Sequence, residues 1–186
     1  IALGFKNLMF SEGFDDSSSA ICRLEGGVAT VTCACAEVGQ GFVTLAQQIT
    51  REVLGVDEVV LAPAATATMG SAGSTSASRQ SWMSGGAVQA ACEEVRVRLL
   101  ARVADDRGVD PDELVLVEGR VVSLSGDFEA DLASVTAEAI EAEVEFRHAP
   151  TSPLDENGQG DAHVSFAFSA HRAIVDVDCD LGLVKV

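Results

Sequence analysis

Apolar and polar residues alternate with a period of two over residues 20–24 and 28–35, which predicts two strands joined by a turn at Glu25-Gly26-Gly27. The period then changes. Phe42, Leu45, Ala46, Ile49 and Val53 recur at helical spacing, and Gly55 stands where a helix C-cap belongs, so a helix is predicted from the Gly39-Gln40-Gly41 turn through Leu54. Residues 59–62 form a short apolar run suited to a buried strand, and a loop of small residues follows over 64–75. A second, longer helical pattern begins near Ser76 or Arg79 and runs to about Ala104, with Ala87, Ala91, Val95 and Leu99 on its core face. Its many alanines and glycines permit close packing on a sheet.

Downstream, Asp110 resembles the N-cap of one brief turn, and residues 114–117 and 120–124 form a hairpin around Glu118-Gly119. A short acidic helix is predicted over 131–140 and a strand over 142–148. A polar loop holding Pro150, Pro153 and Asp155-Glu156-Asn157-Gly158 comes next. A long alternating stretch over 163–178 is expected to turn at 179–182 and pair back through 183–186. The first sixteen residues carry no clear period. The resulting order, ββαβα then ββαβββ, predicts an α+β fold: a mixed β-sheet with helices packed on it. That order is compatible with a pseudo-repeat of two sub-lobes, at about 17–108 and 109–186.

Composition changes this picture in its surface. Hydrophobic residues make up 47% of 186 and mean hydropathy is +0.24, which excludes disorder. Twelve basic against 29 acidic residues leave a net charge of -17, which repels nucleic-acid backbones and anionic membranes. No apolar run approaches a membrane span and no signal-peptide pattern is visible. The acids are unevenly spread. From Val59 to Cys92 there is none, and Arg79 is the only charge, where the average density would put about five acids. Such a window suits either the approach of an anionic ligand or a buried segment. The five cysteines (22, 33, 35, 92 and 179) lack zinc spacing and are expected to be reduced thiols of a cytoplasmic protein, with Cys33 and Cys35 on one side of their strand.

Two segments could carry chemistry. Gly39-Gln40-Gly41 leads a strand into a helix, where paired glycines can expose N–H groups at the helix's positive end; a plain strand-to-helix turn has the same pattern. In the segment from Met69 to Gln80, small side chains leave backbone and hydroxyl donors free to approach a ligand just before a helix. No serine stands in a nucleophile elbow or near a His/Asp pattern. Asp176, Asp178 and Asp180 are expected on a solvated strand edge, and Glu141, Glu143 and Glu145 on the wet face of another. Trp82 is expected to be a core anchor.

Together, Val38-Gly39-Gln40-Gly41, the Leu54-Gly55-Val56 helix end, Gly73-Ser74-Thr75-Ser76-Ala77-Ser78-Arg79-Gln80 and Gly85-Gly86-Ala87-Val88 resemble the molybdenum-binding subunit of the xanthine dehydrogenase and aldehyde oxidase family. Val175-Asp176-Val177-Asp178 followed by Gly182 adds to the likeness, which covers most of the chain and is strongest over 28–95. The resemblance implies a molybdopterin-binding domain. Gly39, Gln40 and Gly41 would hold the pterin near the metal, and Ser76, Ala77 and Ser78 would pack against the molybdenum centre. Arg79 and Gln80 would reach toward the phosphate of molybdopterin, usually its cytosine dinucleotide form in bacterial members. No protein side chain would ligate the metal. The implied reaction is hydroxylation of a purine, another heteroaromatic ring or an aldehyde, with electrons passed to iron–sulfur and FAD subunits or domains.

On the same resemblance, the family's catalytic Glu would lie beyond Val186, and a further cofactor loop with a substrate-binding Arg before Ile1. The chain is therefore expected to be a piece of a larger cytoplasmic subunit, whose remainder is its first partner. Alone it is expected to lack bound cofactor and turnover. The alternatives are a non-catalytic nucleotide-binding domain or a protein-interaction module built on the Ser-rich loop.

Overall fold

Every second residue of β2 (Ser17–Glu25) and β3 (Val28–Cys33) is buried in a computed structural model of the chain, which describes residues 1–9, 12–65, 67 and 69–186. The alternation expected from the sequence thus becomes one inner sheet face, carrying Ala20, Cys22, Leu24, Ala29, Val31 and Cys33. The sheet order is β4-β3-β2-β8. The β3 strand pairs antiparallel with β2 and parallel with β4 (Val59–Ala62), and helix α1 (Phe42–Leu54) makes the crossover that parallel pairing requires. The fourth strand, β8 (Ile140–Arg147), arrives from far along the chain and pairs antiparallel with all of β2 from Ser17 to Leu24. A strand from residues 109–186 is thus built into the sheet formed by residues 17–108.

Helix α2 (Met83–Arg107) lies across β2 and β8 and also packs on α1. Ala87, Ala91, Val95 and Leu99 are all completely buried, as their spacing predicts. The helix starts later than expected. Ala77 and Ser78 have φ of 56° and 53°, in the left-handed region, so the chain is still turning there and becomes helical only at Met83. On α1 the buried residues are Phe42, Ala46, Thr50 and Leu54, while Leu45, Ile49 and Val53 are half-buried beside α2. Thr50 tolerates its place because its hydroxyl donates to the Ala46 carbonyl at 2.8 Å. Trp82 is no core anchor: it is 40% exposed, at the lip of a groove with Gly86 and Phe146.

A second sheet holds β5 (Leu114–Val117), β6 (Arg120–Ser123) and β7 (Glu129–Asp131), with the predicted hairpin at Glu118-Gly119. Asp110 caps the 3-10 turn Pro111–Glu113 through its side chain, as expected. The acidic helix expected over 131–140 shrinks to α3 (Leu132–Val135), because the strands on either side claim Asp131 and Ile140. The stretch expected as one strand over 163–178 divides into β9 (Phe166–His171) and β10 (Asp176–Asp178); β11 (Leu183–Lys185) pairs back on β10 through the predicted turn. Of the loop over 64–75, Thr66 and Thr68 lie outside the described residues. No helix among the described residues is long and apolar enough to cross a membrane.

The untyped start of the chain is β1 (Ala2–Asn7), paired antiparallel with β9 in a two-stranded ribbon. Its apolar side chains stay in water: Phe5 and its partner Phe168 are 76% and 80% exposed. A two-stranded ribbon has two unpaired edges and cannot bury such a face by itself. The chain is therefore expected to self-associate as its concentration rises. Phe5→Lys with Phe168→Glu is expected to shift the weight-average mass from light scattering back toward one chain.

Candidate functional site

Beyond Cys33 the chain leaves the sheet, and residues 34–41 lead into α1. Gly39 and Gly41 both take left-handed φ, 95° and 88°, with nothing within 4 Å of an added Cβ; the turn needs glycine for its conformation, not for space. Gln40 between them is tied at both ends. Its Oε1 accepts from the Val38 amide at 2.7 Å, and its Nε2 donates to the Ala36 carbonyl at 3.0 Å. The same Nε2 makes a short hydrogen bond to Gln80 Oε1, across forty residues of chain.

That bond joins the two candidate loops. Gln80 Nε2 also donates to Thr75 Oγ1 at 2.9 Å and to the Ala36 carbonyl at 3.4 Å, which takes a third donor from Thr75 Oγ1 at 3.4 Å. The joined loops line a cavity of about 570 Å³. Gln40, Thr75, Ser76, Ser78, Arg79, Gln80 and Ser81 make its polar side, and Leu8, Val38 and Ala167 its apolar side. Among the described lining residues there is no carboxylate, despite the strongly acidic composition. Among the described residues, the amides of Ser76 and Ser78, both of which line the cavity, meet no acceptor.

Four of the residues singled out in the sequence behave otherwise than expected. Ala77 does not line the cavity; its carbonyl accepts from the Met9 amide at 2.8 Å and so pins the loop to the segment after β1. Arg79, expected to reach toward a phosphate, is completely buried. Its guanidinium pairs with Asp16 through two bonds of 2.6 and 2.8 Å, and its other N–H groups bond the carbonyls of Ala72, Ser74 and Ser17. All five donors are used, so none is left for a ligand. The amides of Gly39 and Gly41 are likewise taken, by the Glu37 carboxylate at 2.8 and 3.2 Å.

Sequence reasoning missed Asp16 and Glu37. The signal for Asp16 was the lone charge itself: a single Arg in an acid-free apolar window more often folds inward onto a partner than outward. The signal for Glu37 was its place four residues before the glycine that opens a helix, within reach of the free amides.

Beneath the loops, Ser18 Oγ donates to Ser84 Oγ at 3.3 Å in the core. The neighbouring Cys33 thiol is held down to about 7, first by the Cys35 thiol and further by Ser18 and by the positive charge of Arg79. Cys35 is pushed up by the same contact, so Cys33 ionises first. All five cysteines are free thiols, four of them buried or half-buried and Cys179 exposed. No cluster of metal ligands is present among the described residues.

A family model for the molybdopterin cofactor-binding domain matches residues 1–186. The nicotine 6-hydroxylase large subunit of Paenarthrobacter nicotinovorans is 31% identical over 189 residues, covering 93% of this chain and 22% of that subunit. Quinoline 2-oxidoreductase from Pseudomonas putida 86 superposes with a TM-score of 0.71 at 21% identity, over 98% of this chain and 25% of that one. Reconstituted CO dehydrogenase from Oligotropha carboxidovorans gives 0.67 at 16%, over 98% and 24%. The likeness to the two structures is one of fold. The chain spans about a quarter or less of the length of each of these relatives.

Proposed function

The chain belongs to the molybdopterin cofactor-binding domain family, and from that premise we propose that it forms part of the cofactor site of a molybdenum hydroxylase, with the Gln40/Gln80 cavity as its share of that site. The observation that carries the proposal is the Gln40–Gln80 hydrogen bond, which brings both loops to one acid-free cavity rich in donors. The donor set suits the group. A pterin offers ring nitrogens and a carbonyl to hydrogen-bond, and its phosphate is an anion that free amides and hydroxyls can hold without a counter-charge.

In this reading one of the two Gln40 Nε2 hydrogen bonds, to Ala36 or to Gln80, is exchanged for the pterin end. The amides and hydroxyls of Ser76 and Ser78 receive the phosphate end. Gly39 and Gly41 shape the turn, Gln80 orients Gln40, and Arg79 braces the loop from behind. The bound cofactor supplies a two-electron redox centre that the protein's own side chains lack. The cytosine dinucleotide form, iron–sulfur and FAD partners and a cytoplasmic location all belong to this proposal. So does a heteroaromatic or aldehyde substrate; the nicotine 6-hydroxylase relative favours a nicotine-like heteroaromatic ring over a purine.

Gln40→Ala tests the reading. Its side chain is exposed at the cavity and supports no core, so the thermal unfolding midpoint is expected to change little. In the full-length protein that carries this chain, molybdenum and pterin content per polypeptide is expected to fall several-fold. Content equal to that of the unsubstituted protein would remove the cavity from the cofactor site.

A further inference from the structure

Between Ala36 and Val43, the amides of Val38, Gly39, Gly41 and Val43 are bonded by two of the segment's own side chains. Glu37 Oε1 accepts from the amides of Gly39 at 2.8 Å and Gly41 at 3.2 Å, and its Oε2 from the amide of Val43 at 3.0 Å. These are the donors that would otherwise attract an anion to the start of α1, so the anion held there is the chain's own. Gln40 takes the amide that Glu37 leaves, that of Val38. Because a backbone N–H can only donate, the atom it meets on Gln40 must be the carboxamide oxygen, and the nitrogen is then directed toward Gln80 and the cavity.

The division of labour between these side chains goes beyond capping a helix. With left-handed φ at both Gly39 and Gly41, the turn has no Cβ at either position to restrict its backbone. The carboxylate is what gathers its amides on one side. We propose that Glu37 is a positioning residue, holding the amides of Gly39, Gly41 and Val43 so that the Gln40 carboxamide is presented to the cavity with its nitrogen outward. The inference rests on the reading of that cavity as a cofactor site and adds the residue that sets its donor. It also assigns polarity to the site: a phosphate is repelled from the start of α1 by the resident carboxylate, which leaves the Ser76 and Ser78 amides as the anion-binding half.

The same bonds set the pH at which the arrangement fails. The amides of Val43 and Gly41, followed by those of Gly39 and Phe42, hold the Glu37 carboxyl below the usual carboxylate range, and no charged side chain contributes to the shift. A group whose folded pKa is depressed stabilises its surroundings above its unfolded value and ceases to do so as pH falls through the folded one.

An isotope-labelled sample of the chain, followed by amide NMR from neutral to acid pH, tests the proposal. The Gly39, Gly41 and Val43 amides are expected to shift together with one midpoint below that of free glutamate, and the Gln40 side-chain NH2 signals to follow with the same midpoint. In Glu37→Gln that shared titration is expected to vanish, with the Gln40 signals at neutral pH already near those of free glutamine and the core methyl signals unmoved. Glu37→Asp, one methylene shorter, is expected to keep the Gly39 shift and lose that of Val43. A residue that only caps α1 would lower the unfolding midpoint and leave the Gln40 side-chain signals in place; that result overturns the proposal. Should a variant fail to fold, the unsubstituted chain still decides, since separate midpoints for Gln40 and for the three amides overturn it equally. Shared titration alongside unchanged cofactor content in Gln40→Ala would instead sink the reading of the cavity and leave Glu37 as the positioning residue.

Discussion

Arg79→Met is expected to destabilise the chain by about 3–5 kcal/mol, the cost of breaking a buried ion pair from one side. The Asp16 carboxylate is only 7% exposed and would lose its counter-ion. Three carbonyls, of Ala72, Ser74 and Ser17, would also lose a donor in the same stroke. Lysine cannot rescue the site, because one ammonium cannot reproduce a planar fork that meets a carboxylate through two bonds and three carbonyls besides. Adding Asp16→Leu to Arg79→Met is expected to recover part of the loss, since the stranded charge is gone while the carbonyls stay unpaired. Denaturant unfolding of the three variants gives the comparison. A loss no larger than that of a surface pair, about 1 kcal/mol or less, would mean that the guanidinium is not confined as described.

Gly73→Ala is expected to cost about 2–5 kcal/mol, from two sources. The residue has φ of 70°, where a Cβ costs about 1–2 kcal/mol. The added methyl would also stand 2.6–2.8 Å from three atoms of the Arg79 guanidinium, an overpacking term of about 1–3 kcal/mol. Usually a side-chain end moves aside; this one is held by five hydrogen bonds to groups on both sides of it. The two substitutions should therefore not add. In an Arg79→Met background Gly73→Ala is expected to retain only its conformational cost, and a double-mutant cycle measured by denaturant unfolding would show the difference. Full additivity would place Gly73 outside the influence of Arg79.

These two residues also mark where local pattern stops being informative. Gly55 as a C-cap, Asp110 as an N-cap and the Glu118-Gly119 hairpin were legible because each depends on a few adjacent residues. The core face of α2 was legible because its period persists over four turns. The start of α2 was not: Ala77 favours a helix by type and Ser78 a helix start, and both are held out of it by the pinned carbonyl of Ala77 and the anchored Arg79. The pairing of β8 with β2 joins residues more than a hundred positions apart, and no period records it. At the site, the residue types pointed to Gln40 and the Ser-rich loop, and the fold brought them together. What sequence could not show was that the most conspicuous cation faces inward, and that the helix terminus expected to await an anion already holds one.

The Ala36 carbonyl receives Gln40 Nε2, Gln80 Nε2 and Thr75 Oγ1, yet an oxygen of this kind has two lone pairs. It is an oversubscribed acceptor. At any instant one of the three donors is poorly served, and a small rotation passes the deficit from one side chain to the next. An incoming acceptor that takes the surplus donor therefore displaces no fully formed bond, and the loops keep their mutual contact while one of their donors turns outward. Such a junction lowers the barrier to exchanging internal partners for external ones, so the rims of the cavity can receive a polar group without first coming apart.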